Sequence, residues 1–328
     1  MPEIQANHSI ATSSTASTSQ LSGAQYGEVT GVTTSNLSMT SSQSKQGAIY
    51  APFAAEDIVT QALGRNLPRA IQGKELHPLI SRNDQDKATL EQHRNEQIAD
   101  LSKRINFDDK INEVVQNTGA TREEIRQLMG PDLFDKGMSA ELRFKQEVDV
   151  LKRLDIQSNE GQQQLSQLQA GKDKLYIVGH GGAGMNILAA DQECAQGKVT
   201  AGDLASQLRE GGLPKSFNDI RVTACYSADT KSPKSFHHND LQRSAQPITH
   251  KTGFLGLLGP KEVEAEPFAQ TLSNKLKSEG FEQPDVTGYH GAGVTLSPEH
   301  HHRRLPETKE QDARSSTVKQ HFYPNRLA

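Results

Sequence analysis

Residues 174–184 read KLYIVGHGGAG, a short apolar run that ends in a histidine and several glycines. The β-branched and aromatic side chains of 175–178 favour a buried strand, with His180 just beyond its carboxyl end. Residues 220–225 read IRVTAC and predict a second short buried strand that ends at Cys225. The segments around these two strands decide the fold class.

Helix and strand signals alternate around the two strands. Residues 200–212, TAGDLASQLREGG, predict a helix that Thr200 caps and that glycines end. Residues 267–280, PFAQTLSNKLKSEG, predict a second helix with Pro267 as its first residue. Residues 285–293, DVTGYHGAG, predict a third strand. This order indicates an α/β fold with a mostly parallel sheet and covering helices.

The rest of the 328-residue chain differs from this α/β part, to which we assign residues 158–304. Residues 49–157 carry helical patterns and predict a helical region without chemistry, or alternatively one that binds a chaperone or partner. Residues 1–48 are rich in Ser and Thr and predict a disordered region. Residues 305–328 are assigned as a C-terminal tail.

The N-terminal composition fits either a plain flexible tail or an uncleaved export signal like those of bacterial type III effectors. The export interpretation predicts secretion without a cleaved Sec signal and action in the host cytosol; the alternative is a cytoplasmic protein. The net charge of -4 gives no general attraction for nucleic acid, and no apolar run suits a membrane span. Only two cysteines are present, Cys194 and Cys225, which suits a reducing compartment.

His180 and Cys225 are the candidate catalytic residues. Functional groups gather at the carboxyl ends of the strands in an open parallel sheet. A crossover through one helix would make the two strands neighbours or near-neighbours, so the side chains could lie side by side. A thiol beside an imidazole is the minimum for nucleophilic catalysis, because the imidazole can accept the thiol proton and later protonate the leaving group. Either residue alone would more often be structural.

Small residues surround both candidates. Gly181 and Gly182 follow the histidine, and without a Cβ their backbone can pass close to a substrate carbonyl. An N–H group there could stabilise an oxyanion. Ala224 precedes the cysteine and Ser227 follows it, so these four residues are candidates for the oxyanion hole or the cleft.

The motifs GHG at 179–181 and TAC at 223–225 resemble those of the caspase-like (clan CD) cysteine peptidases. This clan includes caspases, gingipains, clostripain and the self-processing domains of large bacterial toxins. Its members share a strand that ends in His-Gly and a following strand that ends in Ala-Cys or a similar pair. The resemblance implies that His180 is the general acid/base, Cys225 the nucleophile and the Gly181 N–H part of the oxyanion hole. It requires no metal or organic cofactor.

Other histidines and cysteines have competing interpretations. His290 ends the third predicted strand and, with Tyr289, is a cleft candidate; it could also replace His180 as the base. We favour His180, because it precedes the cysteine strand in the order that the resembled family uses. The cluster at 300–302 is interpreted as solvated and basic rather than as a metal site. Cys194 is treated as an ordinary residue.

GHGGAG also fits G-x-G-x-x-G through Gly179, Gly181 and Gly184, but a dinucleotide site needs a helix to begin at once. An esterase loop would need a G-x-S-x-G elbow, which the chain does not contain. Residues 227–262 after the cysteine predict a long loop, which in compact domains is usually functional or disordered.

The sequence therefore predicts a cysteine endopeptidase effector that cleaves a host protein or itself through a thioester acyl-enzyme. One alternative is a non-catalytic binding effector, and another is a thiol-dependent deamidase or acyltransferase. The expected partners are a protein substrate and a secretion chaperone on the N-terminal region. We expect no cofactor, no nucleic acid and no membrane span.

Overall fold

The computed structural model describes residues 46–251 and 261–325, so nearly all of the predicted disordered region lies outside the described residues. Its strands, in chain order, are β1 (Gln46–Tyr50), β2 (Leu79–Ser81), β3 (Ile156–Ser158), β4 (Asp173–Ile177), β5 (Ile187–Ala189), β6 (Lys198–Thr200), β7 (Asp219–Val222), β8 (Ile248–Lys251), β9 (Lys261–Ala265), β10 (Asp285–Tyr289), β11 (Ala292–Val294), β12 (His302–Arg304), β13 (Ala313–Arg314) and β14 (Lys319–Phe322). Its α-helices are α1 (Glu56–Ile71), α2 (Asp84–Lys103), α3 (Phe107–Thr118), α4 (Arg122–Met129), α5 (Pro131–Arg153), α6 (Ala201–Glu210), α7 (His238–Ser244) and α8 (Phe268–Ser278).

A seven-stranded sheet in the order β14-β10-β7-β4-β1-β2-β3 forms the centre of the fold. Every neighbouring pair in it is parallel except β10 and β14, which are antiparallel. The central strands are short apolar runs such as Leu175–Ile177, which is buried, as expected when helices cover both faces of a parallel sheet. The predicted α/β class with a mostly parallel sheet is confirmed.

The central sheet combines strands from both sides of the boundary that we drew at residue 158. β1, β2 and β3 come from the segment around residues 49–157, which otherwise is largely helical, and β14 comes from the assigned tail. These strands have five residues or fewer, which is too short for a reliable strand period in the sequence. They become recognisable through their pairing, since β1 pairs along its whole length with β4.

The helices predicted after the first two strands both form. The Thr200 hydroxyl accepts from the Asp203 N–H, and the Asp203 carboxylate accepts in return, which makes the capping box at the start of α6. Pro267 is the N-cap of α8 rather than its first residue, so this helix begins one residue later than predicted. Both helices bury the apolar faces that their spacing indicated, through Leu204, Leu208, Leu272 and Leu276.

The helices α3 and α4 and the first part of α5 form a projection with its own small core. Ile111, Ile125 and Phe134 are its buried apolar residues and form a cluster apart from the main core. The capping box predicted by TREE begins α4, with Thr121 as the N-cap. No helix in residues 46–251 and 261–325 is long and apolar enough to cross a bilayer.

Three smaller sheets decorate the carboxyl ends of the central strands. β5 and β6 form a hairpin directly after β4, and β8 and β9 form another. β11, β12 and β13 form a three-stranded antiparallel sheet that follows β10, which we call the side sheet. The segment predicted as a long loop after Cys225 contains α7 and β8, while residues 252–260 lie outside the described residues.

Candidate functional site

His180 and Cys225 lie at the ends of neighbouring parallel strands. β4 pairs with β7, with Ile177 opposite Val222, and each candidate lies three residues past this register pair. The chain after each strand passes very close to the other, because a Cβ on Gly181 would lie only 3.1 Å from the Cys225 carbonyl oxygen. Gly181 therefore allows the two strand ends to meet, as the strand order predicted.

The His180 imidazole is mostly buried and faces a carboxylate that we did not predict. Its Nε2 lies 2.9 Å from Asp57 Oδ2, and 16% of its side chain is exposed. The contact is a close approach rather than an aligned hydrogen bond, because among the described residues His180 Nε2 has no hydrogen-bond partner. Two backbone hydrogen bonds to Ala189 hold the His180 main chain in place. The His180 N–H donates to Ala189 O at 2.8 Å, and the Ala189 N–H donates to His180 O at 3.0 Å.

Asp57 reaches this position because α1 begins beside the carboxyl end of β1. It lies in the first turn of α1. β1 is the direct neighbour of β4, so the start of α1 and His180 are at the same edge of the sheet. The available signal was an acidic pair, Glu56 and Asp57, directly after the apolar run that contains β1.

Cys225 lies in a tight turn beside the side sheet. Tyr226, the next residue, has a φ of 55°, a left-handed conformation that is uncommon for an aromatic residue and often occurs at functional sites. The Gly293 N–H of β11 donates to Cys225 Sγ at 3.3 Å. No hydrogen bond joins Cys225 and His180 in the described part of the chain, although both side chains line one cavity. The two residues therefore share a cavity, while the thiol sulfur accepts its hydrogen bond from the side sheet.

The shared cavity has a volume of about 90 Å³ and a basic lining. Besides the two candidates, its lining includes the cationic or titratable side chains of Arg65, His301, His302 and Arg303. Among the described residues, no Asp or Glu lines it. A neighbouring cavity of about 260 Å³ shares Arg65, His301 and Ser315 with it and is also rich in basic side chains. Basic side chains therefore outnumber acidic ones in the linings of both cavities.

The histidine cluster at 300–302 is not simply solvated, as we had interpreted it. His301 lines both cavities, and burial together with the nearby Arg65 and Arg303 lowers its pKa to about 2. The His302 ring bonds to Ser297, with 2.8 Å between His302 Nδ1 and Ser297 Oγ. The side sheet turns these residues inward, which the sequence could not indicate. Among the described residues, no group of His, Cys, Asp and Glu has the arrangement of a metal site.

Several predicted cleft residues serve other contacts. Ser227 is buried; its hydroxyl donates to Val222 O at 2.8 Å and accepts from the Tyr289 N–H at 2.9 Å. Tyr289 is buried and lines the larger cavity rather than the one with the thiol. Ala224 packs between the strand ends, with its Cβ close to Gly181. Gly182 belongs to the turn after His180, where its carbonyl accepts from the Met185 N–H at 3.2 Å.

His290 belongs to a buried structural network. Its Nδ1 lies 2.6 Å from Asp229 Oδ1, and both side chains are almost fully buried. The Asp229 carboxylate also accepts from the Ser244 hydroxyl at 2.6 Å and from the Gly291 N–H at 2.8 Å. This network ties α7 and the end of β10 to the loop that carries Cys225. His290 is absent from the lining of the thiol cavity, so the structure brings His180, and not His290, to Cys225.

Cys194 has a different environment from Cys225. It lies in the turn between β5 and β6 with a φ of 58°. Burial, and next the charge of Asp191, raise the pKa of its thiol. Cys194 is therefore expected to react as an ordinary, protonated thiol at neutral pH.

The chain after GHGGAG does not form a dinucleotide site. The β5–β6 hairpin follows β4, so no helix begins at the glycines to bind a pyrophosphate at its N-terminus.

A scan against models of known protein families and a search of curated proteins both found no match to this chain.

Proposed function

We propose that this protein is a caspase-like cysteine endopeptidase in which Cys225 is the nucleophile and His180 the general acid/base. The observation that carries this proposal is the location of both side chains at neighbouring parallel strand ends, on one cavity. Tyr226, directly after the thiol, has a left-handed φ of 55°, a conformation that often occurs at functional sites. Six parallel strands with these motifs at adjacent ends also support the resemblance to the caspase-like clan.

In the proposed reaction the Cys225 thiolate attacks the carbonyl carbon of a peptide bond. A carbon–sulfur bond forms and the carbonyl oxygen becomes an oxyanion, which the backbone N–H groups near Gly181 stabilise. The carbon–nitrogen bond then breaks as His180 protonates the leaving amine, which leaves a thioester on Cys225. Water attacks the thioester after His180 removes its proton, and this step releases the acid and restores the thiolate.

Asp57 has a positioning role in this scheme. Its carboxylate contacts His180 Nε2 and favours a proton on that nitrogen. The other ring nitrogen is then available for proton exchange with the substrate, as in other catalytic arrangements where a carboxylate orients a histidine.

The proposed substrate is a protein, either a host protein or another part of this chain. The Ser- and Thr-rich residues 1–45 suit an uncleaved type III export signal, and we propose action in the host cytosol after secretion by a bacterium. A secretion chaperone on the N-terminal region is the second proposed partner. The thioester chemistry uses groups on this chain and needs no bound cofactor.

The test is a cleavage assay on a proteome-derived peptide library, read as new N-termini by mass spectrometry. The wild-type protein should create new termini, and Cys225→Ser and His180→Ala should abolish them. Cys194→Ser is the matched control and should cleave like the wild type. Glutamine-to-glutamate conversion without cleavage would identify a deamidase, and unchanged peptides would favour a binding effector.

A further inference from the structure

Arg303 carries a buried guanidinium directly behind the cysteine. The residue is in β12 and only 4% of it is exposed. Its Nη1 donates to Ala224 O at 3.1 Å and its Nη2 donates to Thr223 O at 2.9 Å. These carbonyls belong to the two residues that precede Cys225, so the guanidinium holds the backbone that presents the thiol.

This buried cation has no carboxylate partner among the described residues. No ion pair involves Arg303 there, and its Nε is buried without a hydrogen-bond partner. Its other close neighbour is the ring of Tyr289, whose centroid lies 4.6 Å from Cζ. A buried charge is costly unless a counter-charge compensates it, and an arginine side chain does not escape this cost by losing its proton. A negative charge beside Arg303 would therefore stabilise this site.

The same pair of strands also binds the thiol itself. Gly293 and Arg303 are directly opposite each other in the side sheet, and the Gly293 N–H donates to Cys225 Sγ. A Cβ on Gly293 would lie 3.5 Å from Arg303 Nη1, so the glycine and the guanidinium are adjacent. One cross-strand pair thus supplies a hydrogen bond to the sulfur, two to the preceding carbonyls, and a positive charge.

We propose that Arg303, together with Gly293, holds Cys225 in its thiolate form and in its reactive position, so that the side sheet, and not His180, stabilises the ionised nucleophile. This inference rests on the proposed role of Cys225 as nucleophile. Arg303 is a positioning residue, because it acts through Cys225 and its preceding carbonyls. His180 is then free to serve the leaving group, consistent with its contact to Asp57 rather than to the thiol.

The electrostatics of Arg303 agree with this geometry. Burial lowers the pKa of Arg303, and Cys225 is the largest influence that opposes this lowering.

Other charged or titratable groups face Cys225 from the elements around it. They are His180 after β4, Arg65 of α1, His301 just before β12, His302 of β12 and Tyr226 of its own loop, while Tyr289 of β10 and Asp229 act on the adjacent Arg303. Asp229 is compensated by its hydrogen bonds to His290, Ser244 and Gly291. Arg65 is the other cation on the cavity, which makes Arg65→Gln an informative companion to the Arg303 variants.

The test is the rate of alkylation of Cys225 by iodoacetamide from about pH 5 to 9, read at each cysteine by mass spectrometry. The full-length wild type is compared with Arg303→Gln, Arg303→Lys, Arg65→Gln and His180→Ala, and Cys194 in the same molecule is the internal control. Near neutral pH we expect Arg303→Gln to slow Cys225 at least about tenfold, as the loss of one unit of thiol ionisation would. Arg303→Lys should recover most of this rate, because it keeps the charge. His180→Ala and Arg65→Gln should change the rate less than about threefold, a small fraction of the tenfold effect of one unit.

Three results would overturn the inference. The first is a wild-type alkylation profile in Arg303→Gln, which would exclude a role in thiolate formation even if peptide preference changed. The second is a decrease in the Cys225 alkylation rate in His180→Ala that is as large as the decrease in Arg303→Gln. The third is a Lys variant that folds, by its thermal unfolding, and is as slow as the Gln variant, which would exclude the charge. A fast, Arg303-dependent Cys225 in a protein that cleaves no peptide would support this inference and refute the proposed peptidase function.

Discussion

Asp57 Oδ2 lies 2.9 Å from His180 Nε2, although the two residues are far apart in the sequence. The contact joins the first turn of α1 to the loop after β4. It makes the segment around residues 49–157 part of the candidate site, whereas the sequence had suggested a region without chemistry. The contact also leaves only one ring nitrogen of His180 for the substrate.

Replacing Asp57 with Asn should reduce peptide cleavage by roughly 100-fold, because general acid–base catalysis depends on the orientation and charge of the histidine. The substitution keeps the shape of the side chain but removes the charge that favours a proton on Nε2. The effect is measured as the steady-state rate constant for cleavage of a peptide identified in the library assay. Glu56→Gln, at the preceding exposed position, should have wild-type activity. Full activity of Asp57→Asn would show that the carboxylate does not assist His180.

Gly64 of α1 is a point of close approach between this helix and the segment after β11. A Cβ on Gly64 would lie 2.1 Å from Thr295 O, a backbone atom that cannot move without the chain around it. Gly64→Ala should therefore displace the side sheet, lower both cleavage and Cys225 alkylation, and destabilise the fold by about 1 to 3 kcal/mol. Gly202→Ala in α6 is the matched control, because its nearest foreign neighbours are 3.6 Å away and more distant. Equal activity of the two variants would contradict the tight packing of α1 on this segment.

Two histidines make the stability of the fold depend on pH. Burial and the nearby arginines lower the pKa of His77 to about 3 and that of His301 to about 2. An unfolded histidine titrates near 6.5, so below that pH the unfolded chain takes up protons that the folded chain refuses. The free energy of unfolding should therefore decrease as the pH decreases below about 6.5. The decrease should be about 1.4 kcal/mol per pH unit for each histidine, down toward the folded pKa values.

Urea unfolding at about pH 7 and about pH 5 measures this dependence. Wild type should lose more stability between the two pH values than His77→Gln or His301→Gln, by about 2 kcal/mol for each histidine. The comparison of slopes cancels the constant cost of losing the His77 ring, which stacks on Tyr176 at 5.4 Å. Identical slopes in all three proteins would show that these histidines take up protons in the fold as readily as in the unfolded chain.

The small core of the helical projection should be separable from the site. Phe134 is buried there against Phe107, at 5.9 Å between ring centroids, so Phe134→Ala should cost about 3 kcal/mol. Hydrogen exchange should speed up in α3, α4 and α5 while Cys225 alkylation keeps its wild-type rate. Leu133→Ala is the adjacent control: Leu133 is 59% exposed, and its loss should cost less than about 0.5 kcal/mol. A loss of Cys225 reactivity in Phe134→Ala would show that the projection supports the site.

The meeting of His180 and Cys225 could be predicted because it depends on strand order alone. Two apolar runs joined through one helix become parallel neighbours, and each motif then lies at the same edge of the sheet. The strands β2 and β3 could not be predicted, since three residues carry no period and their identity depends on pairing with distant segments.

The residues that contact the candidate pair, Asp57 and Arg303, could not be predicted from the sequence for a related reason. Asp57 reads as an ordinary acidic residue in the first turn of a helix, and only the order of β1 and β4 brings it to His180. Arg303 follows three histidines in the sequence and resembled part of a solvated basic cluster. Its burial depends on the side sheet, whose strands have two or three residues each and leave no pattern in the sequence.

The most direct test of the central claim is to trap the acyl-enzyme on a peptide that the library assay identifies. Wild-type protein and peptide are mixed, quenched in acid after a short reaction, and mapped by mass spectrometry. Our account predicts an acyl group in thioester linkage on Cys225, which His180→Ala forms more slowly and Cys194→Ser forms normally. Two results would contradict it. One is peptide cleavage that leaves no adduct on the wild type and continues in Cys225→Ser. The other is an acyl group on a residue other than Cys225.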